Sequence, residues 1–430
     1  MFQINIQKLT INWDKFEKYI LLALFFSIPI WPRATTLLII LYIILLLCTL
    51  KKRPGLVSFL NYKEFVGCAL LYVLLIIGLS YTIDINTGIS KIQTQASLLV
   101  VPLFLGSQNL TRSDRTAITD LFILGLLTTV LLCFCHAVYR FLSNGSAYVL
   151  DEYSRKKSIF LYTEFSEFLD LHPTYFSLYL GFAIFYLIYN FYTKSKYLFV
   201  PKTGLILLFF IALFLTSSKA GIFSSILLIV IFLIYQLIRK RKKVYMILLI
   251  AIFSGTMVML AVNPVLYTRS FQSISSINEG YQENNAINES TGIRLGLWHL
   301  STYVSKDAIL MGYGTGSVQK ILNERCLEFN SFSTCESLRN KNSHNQFLNF
   351  LVTNGIVFMA VFITILILML LRGFRTRDGI YVFFILFMGI NFFFESLLQR
   401  EKGIVFFTLF AVMLTISHGP LQRVNEKGHP

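Results

Sequence analysis

The sequence predicts an all-α, polytopic integral membrane protein with about twelve transmembrane helices and one large extracytoplasmic loop between the ninth and tenth. Three observations carry this. Of the 430 residues 55% are hydrophobic and 15% aromatic, against only 14% charged, more apolar surface than a water-soluble chain of this length needs for its core. The apolar residues gather into runs that cross, or nearly cross, a hydrocarbon layer of about 30 Å. The net charge of +16 comes in short basic clumps wedged between those runs, the pattern of cytoplasmic loops, so no nucleic-acid partner is expected.

Taken in order, the start MFQINIQKLTINWDKFEKY has no small-residue cleavage site, so the first apolar run is read as an uncleaved anchor. With a cytoplasmic N-terminus, the inside segments carry Lys51, Lys52 and Arg53; Arg112 and Arg115; Lys194, Lys196 and Lys202; Arg239 to Lys243; and Arg372, Arg375 and Arg377. The C-terminus then also lies inside. Residues 1–262 hold spans one to nine with a smaller outer loop at 141–172, residues 263–345 form the large outer loop, and 346–430 hold the last three spans and a tail. The first half of the large loop is too rich in Asn and Ser to pack as a domain, so short amphipathic helices and irregular chain are expected. Four cysteines, Cys48, Cys68, Cys133 and Cys135, sit in apolar runs as small hydrophobes. Cys326 and Cys335 lie in the large loop, where an oxidising compartment allows a disulfide between them.

Within SHNQFLNFLVTNGIVF, His344 and Asn345 open the tenth span and Gly355 follows three helical turns later. Helical spacing puts His344, Leu348, Leu351 and Gly355 on one face, with Ser343 as N-cap and the glycine admitting a neighbouring helix. A histidine in the first turn feels the positive helix end, which favours a neutral imidazole that can act as a base. The plainer reading is an interfacial histidine bonded to loop backbone. In TGIRLGLWHLSTYV, Ile293, Leu297, Leu300 and Val304 form an amphipathic stripe, and Arg294 lies off it, free to reach an anion or to snorkel among headgroups. The Gly312, Gly314, Gly316 run reads as a sharp turn. Lys219, in the turn between spans seven and eight, is a cation at the hydrocarbon edge that pairs with a lipid phosphate or snorkels. His172 precedes Pro173 at the head of span six, as a polar wall or a cap.

These residues resemble the O-antigen ligase and O-antigen polymerase superfamily of bacterial inner-membrane glycosyltransferases. The family's histidine, small polar residue and later glycine are matched by His344, Asn345 and Gly355; its large-loop arginine, aromatic and glycine-rich turn by Arg294, Trp298 and Gly312 to Gly316; its Ser-Arg-Gly-like turn by Ser218, Lys219, Ala220 and Gly221. The chain departs at Phe358, where ligases usually carry Gly, Thr or Tyr, and at Lys219, which keeps the charge but loses the bidentate fork.

The resemblance implies transfer of a glycan from an undecaprenyl diphosphate carrier to an acceptor hydroxyl on the periplasmic face, with His344 as base and Arg294 and Lys219 on the diphosphate. The acceptor is lipid A core for a ligase and another lipid-linked glycan for a polymerase. Membrane lipids are the surrounding partners. No metal or other cofactor is expected: the outer-loop acids Asp151, Glu152, Asp307 and Glu324 form no Asp-x-Asp pair or His/Cys cluster. A polysaccharide transporter or flippase is the rival class, for which Glu395 and His136 would be the mid-membrane ionisable groups.

Overall fold

The computed structural model describes residues 13–49, 60–106, 108, 110–150, 156–193, 198, 200–263, 265–269, 271, 290–328 and 331–418. The basic residues Lys51, Lys52, Arg53, Lys194 and Lys196, the acids Asp151 and Glu152, and the Asn- and Ser-rich stretch at 272–289 lie outside the described residues.

The first half comprises α1 (Trp13–Ser27), α2 (Pro32–Thr49), α3 (Lys63–Ile77), α4 (Ile85–Gln95), α5 (Ser97–Leu105) and α6 (Arg112–Asn144). Local signals set their limits. At the head of α6 the Thr111 hydroxyl accepts from the Asp114 N–H while the Asp114 carboxylate accepts from the Thr111 N–H, a reciprocal cap. Its far end stops at Gly145 in the left-handed conformation. The segment that follows is not purely helical: β1 (Tyr148–Leu150) pairs antiparallel with β2 (Lys156–Ser158) before the short α7 (Tyr162–Ser166). Then come α8 (Pro173–Tyr189), α9 (Lys202–Leu215), α10 (Lys219–Lys240) and α11 (Lys243–Val262). The large loop contributes α12 (Ser290–Ser305), α13 (Val318–Arg325) and α14 (Phe332–Leu338), and the chain closes with α15 (Gln346–Arg375), α16 (Gly379–Phe394) and α17 (Glu401–Ile416).

Five helices are long and apolar enough to cross a membrane among the described residues: Ile85–Leu105 (α4 running into α5), α6, α10, α11 and α15. The pair Tyr162–Leu169 and Pro173–Tyr189, bent by 86° at the break before α8, makes a sixth only if the two are one span. Shorter apolar helices run over Pro32–Leu45, Lys202–Leu215 and Gly379–Phe394.

The burial pattern orders the bundle. Every residue from Pro173 to Leu187 in α8 and from Gly403 to Ile416 in α17 is buried, so these two helices form its centre. They meet through aromatic rings: Phe122, Phe182, Phe384, Phe406 and Phe410 pack edge-on or tilted with centroids 4.8–6.3 Å apart. By contrast α11 has no buried residue, as an apolar helix facing lipid should.

The large loop builds its own small core. The expected stripe of α12 is present: Leu297, Leu300 and Val304 are buried, with Ile293 beside them, against Val318, Ile321, Leu322 and Leu338. A disulfide joins Cys326 to Cys335 across a Cα separation of 5.7 Å. The platform docks on α15 through Val352, which holds α12 over the head of that helix.

Candidate functional site

The head of α15 fixes the histidine. Asn345, not Ser343, is the N-cap: its Oδ1 accepts from the N–H groups of Phe347 (2.9 Å) and Leu348 (3.1 Å). His344 therefore sits outside the helix rather than in its first turn, at φ 43°, a left-handed conformation that a histidine tolerates better than most side chains. Each neighbour is held. The His344 N–H donates to Asn342 Oδ1 (2.9 Å), its carbonyl accepts from Trp298 Nε1 (3.3 Å), and the Ser301 hydroxyl of α12 donates to Ser343 Oγ (2.9 Å). Trp298 thus braces backbone.

With the backbone pinned, the imidazole Nδ1 lies 2.8 Å from Oε1 and 3.0 Å from Oε2 of Glu395, the residue that ends α16. Glu395 lies just outside the helix itself. It sits in the turn after the helix, and the Ser396 N–H donates to its Oε1 at 3.3 Å. Burial pushes its pKa up, but the His344 hydrogen bond and the charges of His344, Arg294 and His172 outweigh that, and the net shift is downward. An ionised carboxylate accepts only, so Nδ1 is the donor and the neutral ring keeps its lone pair on Nε2.

Cations converge from three elements. Arg294 Nη2 on α12 lies 3.6 Å from Glu395 Oε2, and its buried Nε has no hydrogen-bond partner among the described residues. Lys219, first residue of α10, donates from Nζ to Thr291 Oγ1 on α12 (2.8 Å) and to the Arg269 carbonyl (3.4 Å). Arg269, which the sequence reading passed over, lays its guanidinium 4.0 Å above the Tyr162 ring and donates to the Ser217 carbonyl at 3.3 Å. His172 caps α8, its Nδ1 accepting from the Thr174 N–H at 3.3 Å. Burial lowers its pKa; Glu395 opposes this, while His344, Lys402 and Arg294 push the same way, which places His172 in the same electrostatic field.

Gly355 plays another part than the spacing predicted. The backbone at Asn354 and Gly355 leaves helical geometry (φ 79°, ψ −170° at the glycine), so the face running from His344 to Gly355 is broken. A loop, not a helix, fills the break. Ile356 N–H donates to the Ile309 carbonyl (2.7 Å), while Tyr313 and Gly314 N–H groups donate to Val352 (3.0 Å) and Thr353 (2.8 Å). A Cβ on Gly355 would stand 2.1 Å from the Leu310 oxygen. The Gly312 to Gly316 run is the sharp turn expected of it, docked on the α3–α4 connection through Thr315 N–H to the Gly78 carbonyl (3.1 Å) and Gly316 N–H to Thr82 Oγ1 (2.8 Å).

The histidine, the carboxylate behind it and Arg294 thus meet beside α12, with Lys219 held at Thr291 one turn before Arg294, and residues 204–363, which contain all of these except Glu395, match the family model described as O-Antigen ligase. This chain carries a domain of the O-antigen ligase superfamily. Members of that family are glycosyltransferase-like enzymes, and the apolar helices make this one a membrane protein. No curated protein matches the chain. Glu395 and His172 fall outside the matched O-antigen ligase segment and reach the site only through the fold; in the sequence, Glu395 shows as a lone acid closing the apolar run NFFF.

Proposed function

We propose that the protein is an O-antigen ligase that moves a glycan from undecaprenyl diphosphate to a hydroxyl of lipid A core, at the periplasmic face of the bacterial inner membrane. The observation that carries this is the 2.8 Å contact between His344 Nδ1 and Glu395, with Arg294 alongside. Glu395 holds the ring in the tautomer whose Nε2 takes the acceptor proton as the hydroxyl oxygen bonds the anomeric carbon. The bond from that carbon to the diphosphate oxygen breaks, and the diphosphate leaves with the electron pair. Its charge is met by Arg294, whose buried unpartnered Nε suits a phosphate oxygen, and by Lys219 held at the start of α12. A single displacement inverts the anomeric centre, and the scheme needs no metal. Twelve spans with both termini in the cytoplasm would put the site on the outer face.

A polymerase, with a second lipid-linked repeat as acceptor, would use the same machinery. The test is the surface-glycan profile of a deletion strain complemented with wild type, His344→Ala, Arg294→Ala or Lys219→Ala at matched membrane levels. Loss of long glycan from lipid A core with full-length lipid-linked polymer accumulating marks a ligase; single repeat units on the carrier or the core mark a polymerase. Full complementation by all three variants rejects both and favours a transporter. Lys219→Arg is expected to complement.

A further inference from the structure

A second concave site lies beside the histidine and shares no residue with the cation cluster. It is a cavity of about 680 Å³, a size typical of small-ligand sites, lined by the carboxamides of Asn342, Asn349, Gln319, Asn323 and Gln399 and by Arg400. Its floor is the docked glycine turn, where Gly316 meets Asp84 and the start of α4. Two of its walls belong to the catalytic elements. Asn342 is the residue whose Oδ1 holds the His344 N–H, and Gln399 and Arg400 follow Glu395 in the same turn.

The chemistry of the lining is unusual for this molecule. Asn349, on the first turns of α15, is only 1% exposed, and its Oδ1 has no hydrogen-bond partner among the described residues. A buried carbonyl oxygen left unsatisfied is costly, and a ligand hydroxyl donating to it would recover that cost. Opposite it, the carboxamides are already ordered: Gln319 Nε2 donates to the Lys341 carbonyl (3.0 Å) and Asn323 Nδ2 to Asn340 Oδ1 (3.0 Å). Three cations, Lys91, Lys320 and Arg400, line it against two acids, Asp84 and Glu324. Lys320 pairs with Glu324 at 3.9 Å, and the Asp84 carboxylate is taken by the Thr87 hydroxyl (2.6 Å) and N–H (3.0 Å). The lining is left with a small positive excess, and a polyhydroxylated, neutral or weakly acidic ligand would find alternating donors and acceptors among its carboxamides.

We propose that this cavity is the acceptor-glycan subsite, which seats a neutral or weakly acidic oligosaccharide so that its hydroxyl reaches His344. The role as acceptor site rests on the transfer reading above; the capacity to bind glycan does not. No aromatic ring lines the cavity among the described residues, so recognition is by hydrogen bonds to hydroxyls rather than by stacking.

The test uses the full chain in lipid nanodiscs and saturation-transfer NMR with two probes. One is the core oligosaccharide released by mild acid from the deletion strain; the other is the repeat-unit glycan freed from its lipid carrier. Wild type is expected to transfer saturation to at least one, and the responding probe identifies the acceptor source. Asn349→Leu and Gln399→Leu, on separate elements, should each weaken that binding by about tenfold, the worth of one well-made hydrogen bond. His344→Ala and Lys219→Ala should still bind. Silence from both glycans with wild type overturns the proposal, as does binding that survives both leucine variants or disappears only with Lys219→Ala. If wild type transfers glycan in cells and both leucine variants transfer equally well, the cavity is wrong and the His344 chemistry stands; if His344→Ala complements while glycan still binds, the transfer reading fails alone.

Discussion

At His344 the backbone carries the strain and the side chain gains from it. A left-handed φ at a non-glycine residue costs on the order of 1–3 kcal/mol, and here Asn342, Trp298 and the Asn345 cap hold it in place. The reward is a ring turned to face Glu395. Replacing that carboxylate by the isosteric amide keeps the shape but removes the charge and adds an NH2 group that can donate to Nδ1 and hold the wrong tautomer, so Glu395→Gln is expected to lower glycan transfer by about 10²–10⁴-fold at unchanged membrane abundance. A Glu395→Gln protein with wild-type rates removes Glu395 from the site. The pH dependence follows from the direction of its shift. Because the folded-state pKa lies below the ordinary 4.5, the carboxylate stays ionised as pH falls to that value and is protonated only below it. Between about pH 5 and 9 Glu395 therefore adds no titration step of its own to the rate profile.

At the scale of the element, α15 and the turn docked on it act as one unit. Gly355 combines φ 79° with ψ −170°, a region reserved almost wholly for glycine, and the Leu310 oxygen fills the place a Cβ would take. Gly355→Ala is expected to destabilise the protein by about 2–4 kcal/mol, seen as a lower thermal-aggregation midpoint in detergent, and to reduce transfer because the 309–314 loop shifts. A midpoint equal to wild type would mean that the break is not required. The contrast between α12 and α15 explains what the sequence could tell. The stripe of Ile293, Leu297, Leu300 and Val304 was readable because periodicity alone decides which face of a helix is buried. The break at Asn354 was not readable, since an isolated glycine in an apolar run looks the same whether it admits a helix or is forced out of helical geometry by a loop from forty residues away. His344, Arg294 and Lys219 stood out as polar groups in unusual places. Glu395 carried the same signal, yet its partner lies 51 positions upstream, and only the antiparallel return of α16 brings the two together.

For the whole molecule, the end of the bundle away from the site is tied by buried ion pairs. Arg115 of α6 grips Asp378 between α15 and α16 through two hydrogen bonds, His418 Nε2 lies 2.7 Å from the same carboxylate, and Arg372 Nε donates to Glu64 of α3 at 2.8 Å. Burial raises the Asp378 pKa, but hydrogen bonds from His418 and Arg115 and the Arg115 charge outweigh this and hold it far below the usual carboxylate range. A depressed carboxylate stabilises the fold fully above the unfolded value of about 4 and loses that contribution as pH falls from there through the folded value. Asp378→Asn leaves Arg115 buried without its charge partner and is expected to cost about 3–5 kcal/mol at pH 7, with a lowered unfolding midpoint in detergent. The wild-type midpoint should show no loss from this group between pH 7 and pH 5, and a steep one from it would contradict the assignment.

The lack of any buried residue along α11 has a consequence for how this chain tolerates change. Most of its twenty residues answer to the solvent around them rather than to a neighbour, so length and oiliness are nearly all that is asked of them. Exchanging its outward positions for leucine should pass unnoticed by the rest of the protein, whereas the same exchange along α8, where every residue from Pro173 to Leu187 is enclosed, would strike an aromatic ring or a packed backbone at almost each step. Two helices of similar hydrophobicity thus differ in how much history they can record: α8 is held to its spelling, and α11 is free to drift.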